Sequence, residues 1–239
     1  LRRQRQMCIR DSICIVEANE GRGFKIVTSC VYPVSEGMEV LTNTEKIQRY
    51  RKTTLELLLS VHDKNCLSCS RSTNCELQNL CYHYGVDHSR FEGEKKHYEK
   101  DTSTAHLIRD NNKCILCRRC VAACEQQYVS VIGANDRGMD TSIGQPFNLP
   151  LNSTPCISCG QCTVVCPTGA LTERDDTYKV WAALADPTKH VVVQTAPSIR
   201  ATIGECFNMP IGTNVEGKLV AGLRRLGFDK VFDLSLIHI

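Results

Sequence analysis

Apolar positions fall in three patterns along the chain, and each pattern predicts a different kind of element. From residue 13 to residue 40 they come as short β-rich runs. These are Ile13-Cys14-Ile15-Val16-Glu17 and Ile26-Val27-Thr28-Ser29-Cys30-Val31, with Gly21-Arg22-Gly23 turning between them. Ile47, Tyr50, Leu55, Leu58 and Leu59 then recur at the spacing of one helical face as far as His62. Thr42 with Glu45 fits a capping box ahead of that helix. Residues 87–104 are polar and charged and read as an exposed connection. Residues 128–134 and 141–147 are expected to pair as strands around Asn135-Asp136-Arg137-Gly138. The third pattern begins after Tyr178. A short helix over 180–185 stops at Pro187, and His190-Val191-Val192-Val193-Gln194 reads as a buried strand. Thr213 and Glu216 form a second capping box ahead of Leu219, Leu223 and Leu226, Gly227 ends that helix, and Lys230-Val231-Phe232 is a second strand. Strand, helix, strand opens a parallel α/β sheet, and two strands cannot bury both its faces. This part is expected to be the start of a larger domain or to need a partner.

Composition changes the picture at one point: 16 of the 239 residues are cysteine. They cluster at two- and three-residue intervals, no apolar leader opens the chain, and no run of about 18 apolar residues spans a membrane. Thiols spaced in this way serve a metal better than disulfides, which points to a reducing, cytoplasmic setting. The net charge of +3 is matched by the first 12 residues, which hold four arginines and one acid. The remainder is neutral, without the basic stripe that nucleic acid requires. Residues 1–12 and the final Ser-Leu-Ile-His-Ile (235–239) match no pattern of the chain and resemble translated adaptor sequence. They are set outside the fold, taking Cys8 with them; a natural basic arm is the other reading of the N-terminus.

Two runs carry the chemistry: Cys114-x2-Cys117-x2-Cys120-x3-Cys124 and Cys156-x2-Cys159-x2-Cys162-x3-Cys166-Pro167. This is the spacing of bacterial two-cluster ferredoxins, in which the fourth cysteine of each run ligates the other 4Fe-4S cube. One cube then takes Cys114, Cys117, Cys120 and Cys166, and the other takes Cys156, Cys159, Cys162 and Cys124. Gly160 suits close approach of backbone to a sulfide, and Pro167 fixes the turn after the last ligand. Zinc is the competing metal, but its sites favour two separated Cys-x2-Cys pairs. Glu125 stands where simple ferredoxins often repeat the proline. A third site reads from His62-x3-Cys66-x2-Cys69-x5-Cys75, a 4Fe-4S site of one histidine and three cysteines. An imidazole in place of a thiolate makes a cluster less negative and raises its potential. The alternative is an all-cysteine site using Cys81 instead of His62. Otherwise Cys81 and Cys206 are read as buried apolar thiols.

The segment from His62 to Gln78 resembles the histidine-plus-three-cysteine region shared by FeFe hydrogenases and the large iron-sulfur subunit of respiratory complex I. The tail separates the two. Thr195-Ala196-Pro197-Ser198-Ile199-Arg200, Gly204-Glu205, Gly217-Lys218-Leu219 and the stretch from Leu226 to Asp233 are similar to the opening of the FeFe hydrogenase catalytic domain. The resemblance implies an α+β chain: a remnant β-grasp 2Fe-2S domain (13–41), a histidine-ligated 4Fe-4S module (42–104), a ferredoxin-like module with two 4Fe-4S clusters (105–177), and the start of an α/β catalytic domain (178–234). It also implies that Cys14 and Cys30 are the last two ligands of a 2Fe-2S cluster, and that Ala196, Pro197 and Ser198 line the pocket of the H-cluster. The cysteines holding that H-cluster would lie beyond this chain, which is then inactive alone. The expected role is electron relay between a ferredoxin or an NAD(P)H-oxidising flavoprotein subunit, in a hetero-oligomer, and reversible formation of dihydrogen. An iron-sulfur subunit of an NAD-linked oxidoreductase related to complex I, or a non-catalytic electron carrier, are the competing readings.

Overall fold

The computed structural model describes residues 13–91 and 95–234, so the expectations for Cys8 and for both chain ends lie outside the described residues. The architecture is mixed α/β, in two compact units that divide between Arg174 and Asp175. Among the described residues no helix is long and apolar enough to cross a membrane.

The first unit opens with a three-stranded antiparallel sheet in the order β2-β1-β3, formed by β1 (Ile15–Asn19), β2 (Lys25–Thr28) and β3 (Glu39–Leu41). Asn19 makes the β1–β2 turn. Its Oδ1 accepts from the backbone N–H groups of Gly21 and Gly23, both at 2.9 Å, and these glycines take φ of 90° and 94°. Helix α1 (Glu45–Val61) follows, capped by Thr44 and not by the expected Thr42. The Thr44 hydroxyl accepts from the Ile47 N–H at 3.2 Å and donates to the buried Glu17 carboxylate at 2.6 Å. One side chain therefore both starts the helix and ties it to β1, which a two-residue shift would forfeit. Ile47 and Leu55 are wholly buried on the inner face. Helix α2 (Glu76–Tyr84) packs against α1 through Leu55, Leu77, Cys81 and Val86, and ends on Gly85 at φ 60°.

The rest of the unit is a two-fold repeat of strand, cysteine loop, helix, strand. The first copy runs from β4 (Leu107–Arg109) through α3 (Arg119–Gln126) to β5 (Gly133–Asn135). The second runs from β6 (Ser142–Gly144) through α4 (Gln161–Val164) to β7 (Leu171–Glu173). Pairing crosses between copies, β4 with β7 and β5 with β6, both antiparallel. The β5–β6 ladder is shorter than the expected 128–134 and 141–147, because Tyr128 and Ser130 take left-handed backbone conformations that no ladder accommodates. Leu107, Ile132, Ile143, Leu151 and Leu171 form the core.

The second unit holds α5 (Thr177–Leu184), β8 (Val192–Thr195), α6 (Ile199–Thr202), α7 (Glu216–Arg225) and β9 (Lys230–Asp233). Strands β8 and β9 pair in parallel with Val193 opposite Val231. Helix α5 starts ahead of the expected residue 180, where the Asp175 carboxylate accepts from the Thr177 N–H at 2.9 Å. The expected capping box at Thr213 is replaced by Asn214, whose Oδ1 accepts from the Glu216 N–H at 3.1 Å. Val192 and Phe232 remain about half exposed, at 54% and 52%, so β8 is not the buried strand its sequence suggests.

Candidate iron-sulfur sites

In each cysteine loop the backbone curls at the same two positions. Leu116 and Arg118 take φ of 58° and 60° between the cysteines of the first run, and Ser158 and Gly160 take 58° and 70° in the second. Left-handed residues turn successive N–H groups toward the inside of a loop, a nest suited to anions. The Leu116 N–H already points at the Cys114 sulfur, at 3.4 Å. Only Gly160 was legible as such a position. Its partner in the first run is an arginine, and three of the four residues adopt this conformation at a cost of about 1–2 kcal/mol each.

These loops enclose two recesses. One is lined by Cys114, Cys117, Cys120 and Cys166, with Ile132 and Leu171. The other is lined by Cys124, Cys156, Cys159 and Cys162, with the same Ile132 and Leu171. The fourth cysteine of each run has thus crossed to the other recess, so that two shared apolar side chains stand between the sites. Burial pushes the Cys114 thiol up to about 12 and Cys162 to about 11, and lifts Cys120 well above its usual value. Loading such a site requires these protons to leave. Zinc sites favour two separated Cys-x2-Cys pairs over two runs of four thiols. Four thiols around one apolar-lined recess suit a cube with four metal corners, which takes one thiolate at each.

A third group gathers at the α1–α2 junction. Cys66 is exposed in a tight turn, Cys69 is half-buried, and Cys75 is buried at the start of α2. Burial raises the Cys75 thiol first, the Gln78 and Leu77 N–H groups lower it, and the nearby Cys69 and Cys66 raise it. His62 closes α1. Its Nδ1 is buried with no hydrogen-bond partner, and burial lowers its pKa, which favours the neutral imidazole that binds metals. Its charged neighbours are Asp63, Lys113, Lys95 and Asp110. Lys113 also lies beside Cys69, across Gly169. Cys81 is buried as expected, its thiol lifted to about 11 by burial and then by Cys75 and Cys66. Cys206, expected to be buried, is exposed because the turn that carries it covers Gly204 instead.

This group is bolted to the repeat. The Pro167 carbonyl accepts from the Glu76 N–H at 3.0 Å and from the Cys75 thiol at 3.6 Å. The Arg71 guanidinium donates to the Thr163 carbonyl at 2.7 Å, and Arg119 pairs with Glu76 at 2.6 Å. Elsewhere, the Cys14 and Cys30 sulfurs stand 3.3 Å apart just beyond the ends of β1 and β2. Ala196, Pro197 and Ser198 form the turn after β8, at the carboxyl end of a parallel strand, where α/β sheets place ligands.

Comparison with known families sorts these pieces. Residues 51–90 match the NADH-ubiquinone oxidoreductase-G iron-sulfur binding region, and residues 113–179 match the 4Fe-4S dicluster domain. Residues 189–238 match the C-terminal domain of the iron-only hydrogenase large subunit. The NADP-reducing hydrogenase subunit HndD of Solidesulfovibrio fructosivorans is 48% identical over 92% of this chain, and Iron hydrogenase 1 of Clostridium pasteurianum is 39% identical over 93%. The chain belongs to the iron-only hydrogenase large-subunit family. As a hydrogenase-family chain it spans 38% and 39% of the length of those two relatives. A chain in the crystal structure of an NAD+-reducing NiFe-hydrogenase in the H2-reduced state is also similar, with TM-score 0.65 and 30% identity over 70% of each chain.

Proposed function

We propose that this chain is the electron-relay region of an FeFe hydrogenase, feeding a catalytic domain that forms and oxidises dihydrogen at an H-cluster. The observation that carries this reading is the pair of cysteine-lined recesses with exchanged fourth ligands, joined through Pro167 to the His62–Cys75 group. Iron-sulfur cubes held there supply one-electron carriers. The chain's own part is to hold them with thiolates, keep water out with Leu171 and Ile132, and aim N–H groups at sulfur. Cys14 and Cys30 are assigned to a 2Fe-2S cluster, and Ala196, Pro197 and Ser198 to the rim of the H-cluster pocket. The modules are assigned to 13–41, 42–104, 105–177 and 178–234. An NAD(P)H-oxidising flavoprotein subunit, in a hetero-oligomer, is the favoured electron partner, since two of the similar proteins are named as NADP- or NAD+-reducing hydrogenases. The match over 51–90 suits a complex I relative equally well, and the match over 189–238 weighs against it.

Anaerobically reconstituted, the chain is expected to bind about 12 iron atoms in three cubes. A plateau near four or eight would sink at least one assignment. For the third cube, we assign His62 as the fourth ligand because its buried Nδ1 otherwise has no partner. His62→Ala should change the paramagnetic spectrum of one cube, while Cys81→Ser should leave all three unchanged. The reverse pattern would hand the ligand to Cys81. The catalytic half is tested by reading the native locus downstream of Leu234. A continuation with four further cysteines is expected, and one without them would leave an electron carrier.

A further inference from the structure

The two recesses of the repeat have the same ligands but not the same charge. The recess of Cys114, Cys117, Cys120 and Cys166 is lined by Arg109, Arg118 and Arg119, whereas the lining of the other contains no charged side chain. Arg119 pairs at 2.6 Å with Glu76, whose carboxylate is more than half exposed to solvent. Arg109 is different. It projects from β4, its side chain is only 11% exposed, and Gly144 lies so close against the guanidinium that an added Cβ would stand 3.0 Å from Nη1. The Gln145 side-chain oxygen accepts from Nη1, and the Asp101 carboxylate stands 3.5 Å from Nη2. The cation is therefore fixed in place. A guanidinium stays protonated even when buried. Its charge is felt at Cys114, whose thiol it lowers, while burial lowers the pKa of Arg109 and Asp101, then Cys120 and Cys114, raise it.

Each one-electron reduction adds a negative charge to a cube. A fixed cation in a low-dielectric recess stabilises the reduced form and raises the potential of that site alone. We propose that Arg109 ranks the two sites of the repeat, so that the recess of Cys114, Cys117, Cys120 and Cys166 takes the first electron and the uncharged recess takes the second. Arg109 is a positioning residue for charge, not a ligand. Asp101 partly offsets it and so limits the difference. The ranking places the resting electron at the site whose Cys166-Pro167 segment touches Cys75, next to the third group. This inference rests on the cluster assignments above.

The test is a potentiometric titration of the reconstituted full chain, followed by paramagnetic resonance. A low-potential one-electron reductant loses one electron for each cube reduced. Signals are assigned beforehand with Cys117→Ser for the first recess and Cys159→Ser for the second. The first-recess signal is expected to appear at the higher potential. Arg109→Gln should lower that midpoint and leave the second-recess midpoint in place, and Arg109→Lys should restore most of the difference. Asp101→Asn should move the same midpoint upward. The opposite signs of the two substitutions separate a charge effect from damage to the fold. Should Arg109→Gln fail to load iron, Asp101→Asn and Arg109→Lys still decide. Full iron content with midpoints that do not move, or that move together, overturns the ranking alone. A wild-type repeat holding fewer than about eight iron atoms overturns the cluster assignments and the ranking with them.

Discussion

Cys166→Ala is expected to cost the chain about four of its twelve iron atoms, and the loss should fall on the cube held by the other run of cysteines. Cys166 follows α4 and belongs by sequence with Cys156, Cys159 and Cys162, yet it lines the recess of Cys114, Cys117 and Cys120. Pairwise substitution reads this directly, because changes at one site do not add whereas changes at separate sites do. Cys166→Ala combined with Cys117→Ala should cost no more than either alone, about four iron atoms. Combined with Cys159→Ala it should cost about eight. Cys124→Ala should show the mirror pattern, additive with Cys117→Ala and silent on top of Cys159→Ala. Iron analysis with spectra of each remaining cube would expose an uncrossed arrangement at once, since the additive and non-additive pairs would trade places.

Gly169→Ala is the second large effect. This glycine is buried, and a Cβ there would stand 2.5 Å from the Cys69 sulfur, with Lys113 and Arg71 next nearest at 3.5 and 3.9 Å. Its φ is not among the positive ones, so space and not backbone freedom makes it glycine. In the iron-free chain the short Cys69 side chain can turn aside, and the cost stays at the low end of the roughly 1–3 kcal/mol of overpacking. In the loaded chain the sulfur is held as a ligand and cannot turn. The substitution should therefore leave the thermal midpoint of the iron-free protein nearly unchanged while the iron content falls from about twelve to about eight. Equal damage to both forms would mean that Gly169 serves packing alone.

The parts of the sites that lie in short cysteine runs were legible because ligand spacing is a local property. The spacing predicts that each fourth cysteine crosses to the other site, and the lining of the two recesses is crossed in that way. What escaped was imposed from a distance. Nothing in Leu116, Arg118 or Ser158 announces a left-handed backbone, which the loop demands of whatever residue stands there. Gly169 owes its identity to a cysteine in another module, and Arg109 looks like an ordinary strand residue until Gly144 is found against it. Helix starts were misplaced wherever two acceptors competed. Thr44 prevailed over Thr42 by reaching Glu17, and Asn214 over Thr213 by reaching Glu216. Cys206 was assigned to the interior on residue type alone, and its turn leaves it in solvent.

The exchange of fourth cysteines also governs when the sites can come into being. As the chain is synthesised, the first recess has three of its thiols early but waits for Cys166, and the second waits for Cys162. A ribosome paused anywhere between the two runs therefore presents bare thiols and no completed site, and the β4–β7 pairing that closes the repeat is equally late. Such a repeat can arise by gene duplication, but with the fourth cysteines lining each other's recess the halves cannot be parted again. Neither inherits a whole site, so the module is kept or lost as one.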